Sequence, residues 1–449
     1  MIDRPLATLA VLSVAQFLIA LDYSIIFIAL PSVASDLSLE PALAQWVVSA
    51  YAVLFAGFLV VGGRLTDRLG AKPLFVAAVV GFGLASAVGG IAETGGVLLA
   101  ARGAQGLAAA LLQPAVLGLI GTTFPAGTAR GRALAVWGSV GASGLAAGAI
   151  LGGLLTVVSW RLTFMINVPL TLLCAVGAAL WFGASGQRSA ERVPVGAAAL
   201  GTGAVLTLVL GLTLAAEQGW SATPTVASLA LAVVLFVGFV RNERISRTVL
   251  IEHVLRRTAS LRVGAVATAL YMASVGSEFY LLTLLLQAMK GYTPLQAGLA
   301  FLPLALMVTA GNVVAGRSVK RFGDRAVLAA GFVLATVGLL WIALALRGDS
   351  YAVDLLPGIL LSGFGHGAIY TSMFVIGTHD VADAHQGTAG ALLTTSQYLS
   401  GALTVAVLTL ALGASPDYGD FRIAFLITTA AALGGVVLSA RPLTKRALA

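Results

Sequence analysis

Stretches of about 20 apolar residues recur along this chain from one end to the other, and no other feature constrains its fold as tightly. A helix rises about 1.5 Å per residue, so about 20 residues carry it across a bilayer core of about 30 Å. The apolar fraction, 59%, and the mean hydropathy of +0.99 exceed the roughly 45–50% apolar content of water-soluble domains. The chain therefore reads as an all-α polytopic membrane protein. Spans are predicted at 7–30, 45–62, 74–92, 97–123, 133–157, 163–183, 195–216, 224–241, 262–290, 295–316, 326–346, 352–379, 387–413 and 420–440. The first run is too long for a cleavable signal peptide and contains Asp22. Cys174, the single cysteine, excludes a disulfide within the chain and reads as a structural thiol.

A net charge of +8 would point to nucleic acid in a soluble protein. The positions of the charges point elsewhere. With fourteen spans both ends lie on one side, and twenty-one of the 26 Lys and Arg residues fall in that side's connections and termini. They include Arg4, Arg188, Arg192, Arg247, Arg441, Lys445 and Arg446. Arg161, Lys290, Arg347 and Arg422 fall on the other side, and Arg102 alone lies within a span. By the positive-inside rule both termini are expected in the cytoplasm.

Two charged boxes interrupt the apolar pattern: VGGRLTDRLGAKPLF at 61–75 and AGRSVKRFGDRAVLA at 315–329. Their arginines, Arg64 and Arg317, are 253 residues apart. At about 32 residues per helix and loop, that is about eight helices, two more than a bare duplication of six. The expected organisation is thus 6+2+6: residues 1–186 as a six-helix bundle, 187–260 as two additional helices and a cytoplasmic linker, and 261–449 as a second bundle. The added pair, near 195–241, is expected to face lipid outside both bundles.

Each box is predicted to be a short cytoplasmic connection that latches helices together. Gly63, Gly70 and Gly316 allow tight turns and close approach. Arg68 and Arg321 can reach lipid phosphates or helix ends, and Asp67 can bond a helix N-terminus or an arginine such as Arg130 or Arg132. Lys320 stands where Asp67 stands in the first box, so the latch is expected to be asymmetric.

These residues resemble a known family. GGRLTDRLGAKP is similar to the loop signature of the major facilitator superfamily, and LDYSIIFIALPSVASDL (21–37) resembles the first-helix signature of its fourteen-span drug:proton antiporters. RGAQG (102–106), GLAAGAILGGLL with SWRLTFMINVP (144–169) and GYTPLQAGLAFLP (291–303) resemble further motifs of that family. In the fifth-helix motif Gly148 is followed by Ala149 instead of the family's proline, which weakens any argument from a kink. Gly144, Gly148, Gly152 and Gly153 still permit close helix packing. The resemblance implies a major facilitator fold with spans 1, 4, 9 and 12 lining a central cavity.

Charges within spans cost at least about 2.5–3.5 kcal/mol each, so Asp22, Arg102 and Glu278 are the candidate proton-coupling groups. Counted from the predicted span starts, all three lie about 21–22 Å from the cytoplasmic face. If the family fold holds, Asp22 and Arg102 face each other and Glu278 faces them across the cavity, with Arg102 switching between the two carboxylates. The structural alternatives are an Asp22–Arg102 ion pair and a neutral Glu278 bonded to a neighbour such as Tyr280. Gln105, Gln113, Tyr280, Gln287, His366, Tyr370 and Gln397 are candidate cavity groups, and Asn167 and Asn312 are further polar contacts.

Motifs for ATP use, zinc hydrolysis or a serine nucleophile are absent from the sequence. No enzyme activity, cofactor or metal is expected. The resemblance implies a proton-coupled antiporter of drug-like or antibiotic-like molecules, monomeric, in contact with lipids, in a bacterial inner membrane. Export of an endogenous metabolite or lipid is the alternative within transport. A non-transporting sensor or scaffold is the alternative outside it, and three buried charges speak against it.

Overall fold

Inside a bilayer no water bonds the backbone, so an apolar segment pairs its own N–H and C=O groups as a helix. The computed structural model of the chain describes residues 4–183, 194–246, 249–346, 350–413 and 416–440, and among these the regular structure is all helical. Arg188, Arg192, Arg247, Arg347, Arg441, Lys445 and Arg446 lie outside the described residues.

The long helices are α1 (Arg4–Asp36), α2 (Pro41–Leu69), α3 (Ala71–Gly90), α4 (Gly95–Thr123), α5 (Thr128–Val158) and α6 (Arg161–Trp181). Then come α7 (Val195–Gln218), α8 (Thr223–Ile245), α9 (Ala259–Gln287) and α10 (Gln296–Phe322). Last are α11 (Asp324–Ala345), α12 (Tyr351–Thr378), α13 (Asp383–Leu412) and α14 (Tyr418–Ala440). Thirteen are individually long and apolar enough to span a membrane. The fourteenth, α5, bends by 41° between Thr128–Leu145 and Ile150–Val158 and spans when its halves are taken together.

The helices run past the predicted apolar limits, and the boxes change character as a result. Arg64, Asp67 and Arg68 belong to the last turns of α2 instead of a loop. The connection shrinks to Gly70, whose φ of 96° is closed to most side chains. Gly323, with φ 82°, does the same between α10 and α11. Polar side chains at the end of a span extend it into the headgroup region, where water and phosphate receive them.

Contacts between distant junctions define two faces. Lys72 after α2 donates to the Phe182 carbonyl after α6 at 2.9 Å, Arg64 of α2 pairs with Glu252 after α8, and Arg130 of α5 faces Asp383 of α13 at 3.5 Å. This is the basic face. On the opposite face, Asp36 at the end of α1 accepts from Arg161 Nη1 (2.7 Å) and Trp160 Nε1 (2.9 Å).

Glycines set the closest helix approach. On α5, a β-carbon at position 148 would lie 1.9 Å from Ser24 Oγ, and at 144 it would lie 2.8 Å from the Phe17 carbonyl oxygen. At position 152 it would lie 3.0 Å from Ile28 Cβ. The stripe stops there: Gly153 meets nothing within 4 Å, because it points away from α1. Helix α8 leaves Val226, Val233, Val234, Phe236 and Val237 exposed, as a lipid-facing helix does. Helix α7 is less peripheral than predicted. It packs on both α2 and α13, with Leu206 against Gly57.

Candidate functional site

Asp22 is 1% exposed, in the middle of α1, and its carboxylate collects three side-chain donors. Arg102 Nη1 of α4 donates to Oδ2 at 2.8 Å, while Gln105 Nε2 (3.0 Å) and Asn167 Nδ2 of α6 (2.8 Å) donate to Oδ1. The one-turn spacing of Arg102 and Gln105 puts both on the side of α4 that faces α1. Arg102 also donates through Nε to the Val47 carbonyl of α2 at 2.9 Å, and its guanidinium lies 4.6 Å from the centre of the Tyr51 ring. Gln105 reaches on to Ser86 of α3 at 2.8 Å. The cluster thus ties together α1, α2, α3, α4 and α6. A fully buried ion pair persists only when further hydrogen bonds support it, as the donors to both oxygens of Asp22 and the Val47 carbonyl beside Arg102 do here.

Glu278 makes no contact with this cluster. It is fully buried, and its partner is Ser362 of α12, whose hydroxyl donates to Oε1 at 2.7 Å. Its second oxygen, Oε2, has no partner among the described residues. The helices packed on its segment of α9 are α11, α12, α13 and α14, all from the second half. Just before Glu278 the helix is interrupted, beside the glycine and serine at Gly276 and Ser277. Helix α9 breaks at Ser274 (φ −107°, ψ −103°). Ser274 Oγ then caps the Leu270 carbonyl at 2.6 Å and Ser277 Oγ the Met272 carbonyl at 2.7 Å. Carbonyls freed by a break within a bilayer need such partners. After the break Glu278 turns into the interior of its own half, while Phe279 beside it is exposed.

Between the halves lies an aromatic belt. Tyr51 stacks on Phe55 of α2 at 5.8 Å, and Phe55 meets Tyr398 of α13 edge-on at 4.7 Å. Trp137 of α5 stacks on Tyr370 of α12 at 5.6 Å and meets Phe374 at 5.5 Å. Tyr271 of α9 sits 5.6 Å from Tyr370, and its hydroxyl bonds His366 Nε2. Of the predicted cavity groups, His366 and Tyr370 therefore belong to this belt, and Gln105 to the Asp22 cluster. Tyr280 bonds Thr409 of α13 at 2.9 Å instead of Glu278. Gln113 is buried with Oε1 unpartnered among the described residues, Gln397 is half-buried beside Tyr398, and Gln287 is exposed.

At the basic face the two halves meet closely. A β-carbon at Gly63 would lie 2.6 Å from Ala391 Cβ of α13, and one at Gly316 would lie 2.8 Å from Ala135 Cβ of α5. These glycines occupy matching places in the two boxes. Asp67, 7% exposed, accepts from the backbone N–H groups of Gly387 and Thr388, each at 2.9 Å. Those groups belong to the first turn of α13, where free N–H groups and the helix dipole favour an anion. Of the partners expected for Asp67, the helix N-terminus is the one observed. Arg130 instead donates to the Phe124 carbonyl at 3.1 Å and faces Asp383, while Arg132 is exposed. Arg68, Arg317, Lys320 and Arg321 are exposed too. The arginines of the two boxes thus differ, because Arg64 is 3% exposed and pairs with Glu252. Asp67 also borders a cleft of about 310 Å³ lined by Arg4, Thr8, Lys72, Trp181 and Asp383.

Glu252, Asp383 and His385 are the members of this network that sequence reasoning missed. They sit at or beside helix ends, where a charge looks like ordinary solvated surface.

Comparison with known proteins places these observations. The sequence model described as Major Facilitator Superfamily matches residues 12–200 and 195–405. A puromycin resistance protein of Streptomyces alboniger is 35% identical over 421 residues, covering 91% of this chain and 82% of that protein. A cephamycin export protein of Amycolatopsis lactamdurans is 34% identical, covering 88% and 82%. Among solved structures, the human organic anion transporter TETRAN aligns with a TM-score of 0.72 at 16% identity, covering 97% of this chain and 99% of that one. The transporter FucP, in its outward conformation, aligns with a TM-score of 0.67 at 15% identity, covering 98% and 100%. At such identities the likeness is one of fold.

Proposed function

This chain belongs to the major facilitator superfamily, and on that premise we propose that it is an alternating-access antiporter that exports drug-like or antibiotic-like molecules in exchange for protons. The observation that carries the reading is the Asp22–Arg102 cluster: a titratable group fully buried in a membrane span, held by five helices. A purely structural span has no use for a buried charge, whereas a proton carrier needs one.

The cycle follows from the contacts. In the observed state Asp22 is paired with Arg102, and the basic face is closed by Asp67 on α13 and by the Gly63 and Gly316 approaches. A proton on Asp22 removes the charge that holds Arg102 and loosens the α1–α4 contact. The change reaches the second half through Tyr51, Phe55 and Tyr398. Substrate binds at the aromatic belt, whose rings suit flat, greasy molecules. The two six-helix units, residues 1–186 and 261–449, rock about this belt, and 187–260 carries the added pair. The basic face is cytoplasmic with both termini, in a bacterial inner membrane, and the transporter works as a monomer among lipids.

Glu278 enters as a separate protonatable site that selects substrate or carries a second proton. Its geometry echoes that of Asp22: Gln105 lies 83 residues after Asp22, and Ser362 lies 84 after Glu278. Arg102 lies 80 residues after Asp22, and the residue 80 after Glu278 is Gly358.

Names of relatives supply the probes. Everted vesicles energised by respiration should release protons when puromycin or a cephamycin is added, and only if they contain this protein. Substrate uptake with no proton movement would replace the antiporter by another mode of transport. Neither uptake nor proton movement with a broad panel would favour a metabolite exporter.

A further inference from the structure

The loop that follows the two added helices does more than join them to the second half. Glu243, in the last turns of α8 and 5% exposed, folds the loop back on itself. Its carboxylate accepts from the backbone N–H groups of Leu250 (2.6 Å) and Ile251 (3.2 Å), and Arg256 donates to its carbonyl at 3.2 Å. Leu250, 1% exposed, is thereby inserted among Ala197 and Ala198 of α7, Phe239 of α8, and Val60 and Val61 of α2. Glu252 is then delivered to the place where the halves meet. Its Oε1 accepts from Arg64 of α2, and its Oε2 lies 3.2 Å from Nε2 of His385 at the head of α13. The carboxylate is 8% exposed, so these charge-assisted bonds are little weakened by water.

Residues 383–388 are consequently held three times. Asp67 holds the backbone of Gly387 and Thr388, Arg130 faces Asp383, and Glu252 holds His385. The first two holds come from the first six helices. The third comes from neither bundle. We propose that Glu252 is a third clamp on the cytoplasmic gate, through which the added helix pair sets how readily the transporter opens inward. The inference rests on the alternating-access reading, since a gate has to open, and opening has to part Arg64 from His385. A loop fixed by Glu243 and Leu250 cannot follow both partners as they separate, so one bond of Glu252 breaks in each opening.

The test reads gate opening alone, without substrate or proton gradient, and so its failure is distinct from failure of the transport reading. Thr395, 7% exposed, lies one turn beyond Ala391 on α13, behind the contact with Gly63. In a Cys174→Ala background, Thr395→Cys is labelled by a membrane-impermeant maleimide from the cytoplasmic side of inside-out vesicles. Glu252→Gln is expected to raise the labelling rate about tenfold, the weight of one charge-assisted hydrogen bond lost from the closed state. His385→Gln should act in the same direction, and the double variant should label no faster than Glu252→Gln alone. If Glu252→Gln does not reach the membrane, Glu252→Asp and His385→Gln carry the test, because both keep the loop's charge. Wild-type labelling rates in every variant that accumulates, even with a lowered Tm, would make Glu252 a structural tie only and overturn the proposal.

Discussion

At the scale of single residues, environment separates carboxylates that look alike in the sequence. Asp22 and Glu278 are both acids in the middle of apolar runs, and that much is legible because a charge in such a run stands out. Their partners are not legible. For Asp22, only Arg102 was expected, through the family resemblance; Gln105 read as a cavity group and Asn167 as a general polar contact, and both prove to be donors to Asp22. The surroundings of Glu278 depend on the break at Ser274, whose one sequence signal is Gly276 followed by Ser277, a pair that permits a kink without fixing its direction. Asp67 illustrates a third environment. It accepts two backbone N–H groups across the gate, and Asp67→Asn removes the charge that the start of α13 attracts. Bonds to a charged group contribute about 1.5–3 kcal/mol, so the gate should open inward at least about tenfold more often and transport should fall strongly while membrane insertion persists. Labelling at position 395 together with drug efflux would show it. Normal closure and normal efflux would remove Asp67 from the latch.

Among elements, glycine positions decide which helices touch. The four-residue spacing at Gly144, Gly148 and Gly152 is readable as a packing face, but its limit is not, since Gly153 differs from Gly152 only by 100° of helical turn. The two predict opposite outcomes. Gly148→Val drives a branched side chain into Ser24 and the Leu21 carbonyl and should lower the Tm in detergent by several degrees, overpacking typically costing about 1–3 kcal/mol. Gly153→Ala should leave the Tm within about a degree, because nothing lies within 4 Å. Equal effects would mean that α5 does not pack on α1 as described.

For the molecule as a whole, the recurrence of apolar segments was enough to read an all-helical chain of fourteen apolar segments. Helix ends and the polar linker were harder, because charges that terminate an apolar run do not terminate a helix. The orientation of the basic face is open to direct test. Cysteines at Leu69 and Phe322, both exposed where the boxes end, should be labelled from the cytoplasm, and one at Val158, 77% exposed on the opposite face, from outside. Labelling of Leu69 and Phe322 from opposite sides would break the fourteen-span topology. The central claim is that Asp22 exchanges the proton that drives export. It is tested most directly by comparing Asp22→Asn with Glu278→Gln for uphill drug efflux and, separately, for substrate binding without a gradient. Asp22→Asn should bind substrate yet lose uphill efflux, on the order of a hundredfold, as expected for removal of a proton-transfer group, and Glu278→Gln should retain part of it. Uphill efflux at the normal rate by Asp22→Asn would contradict the account.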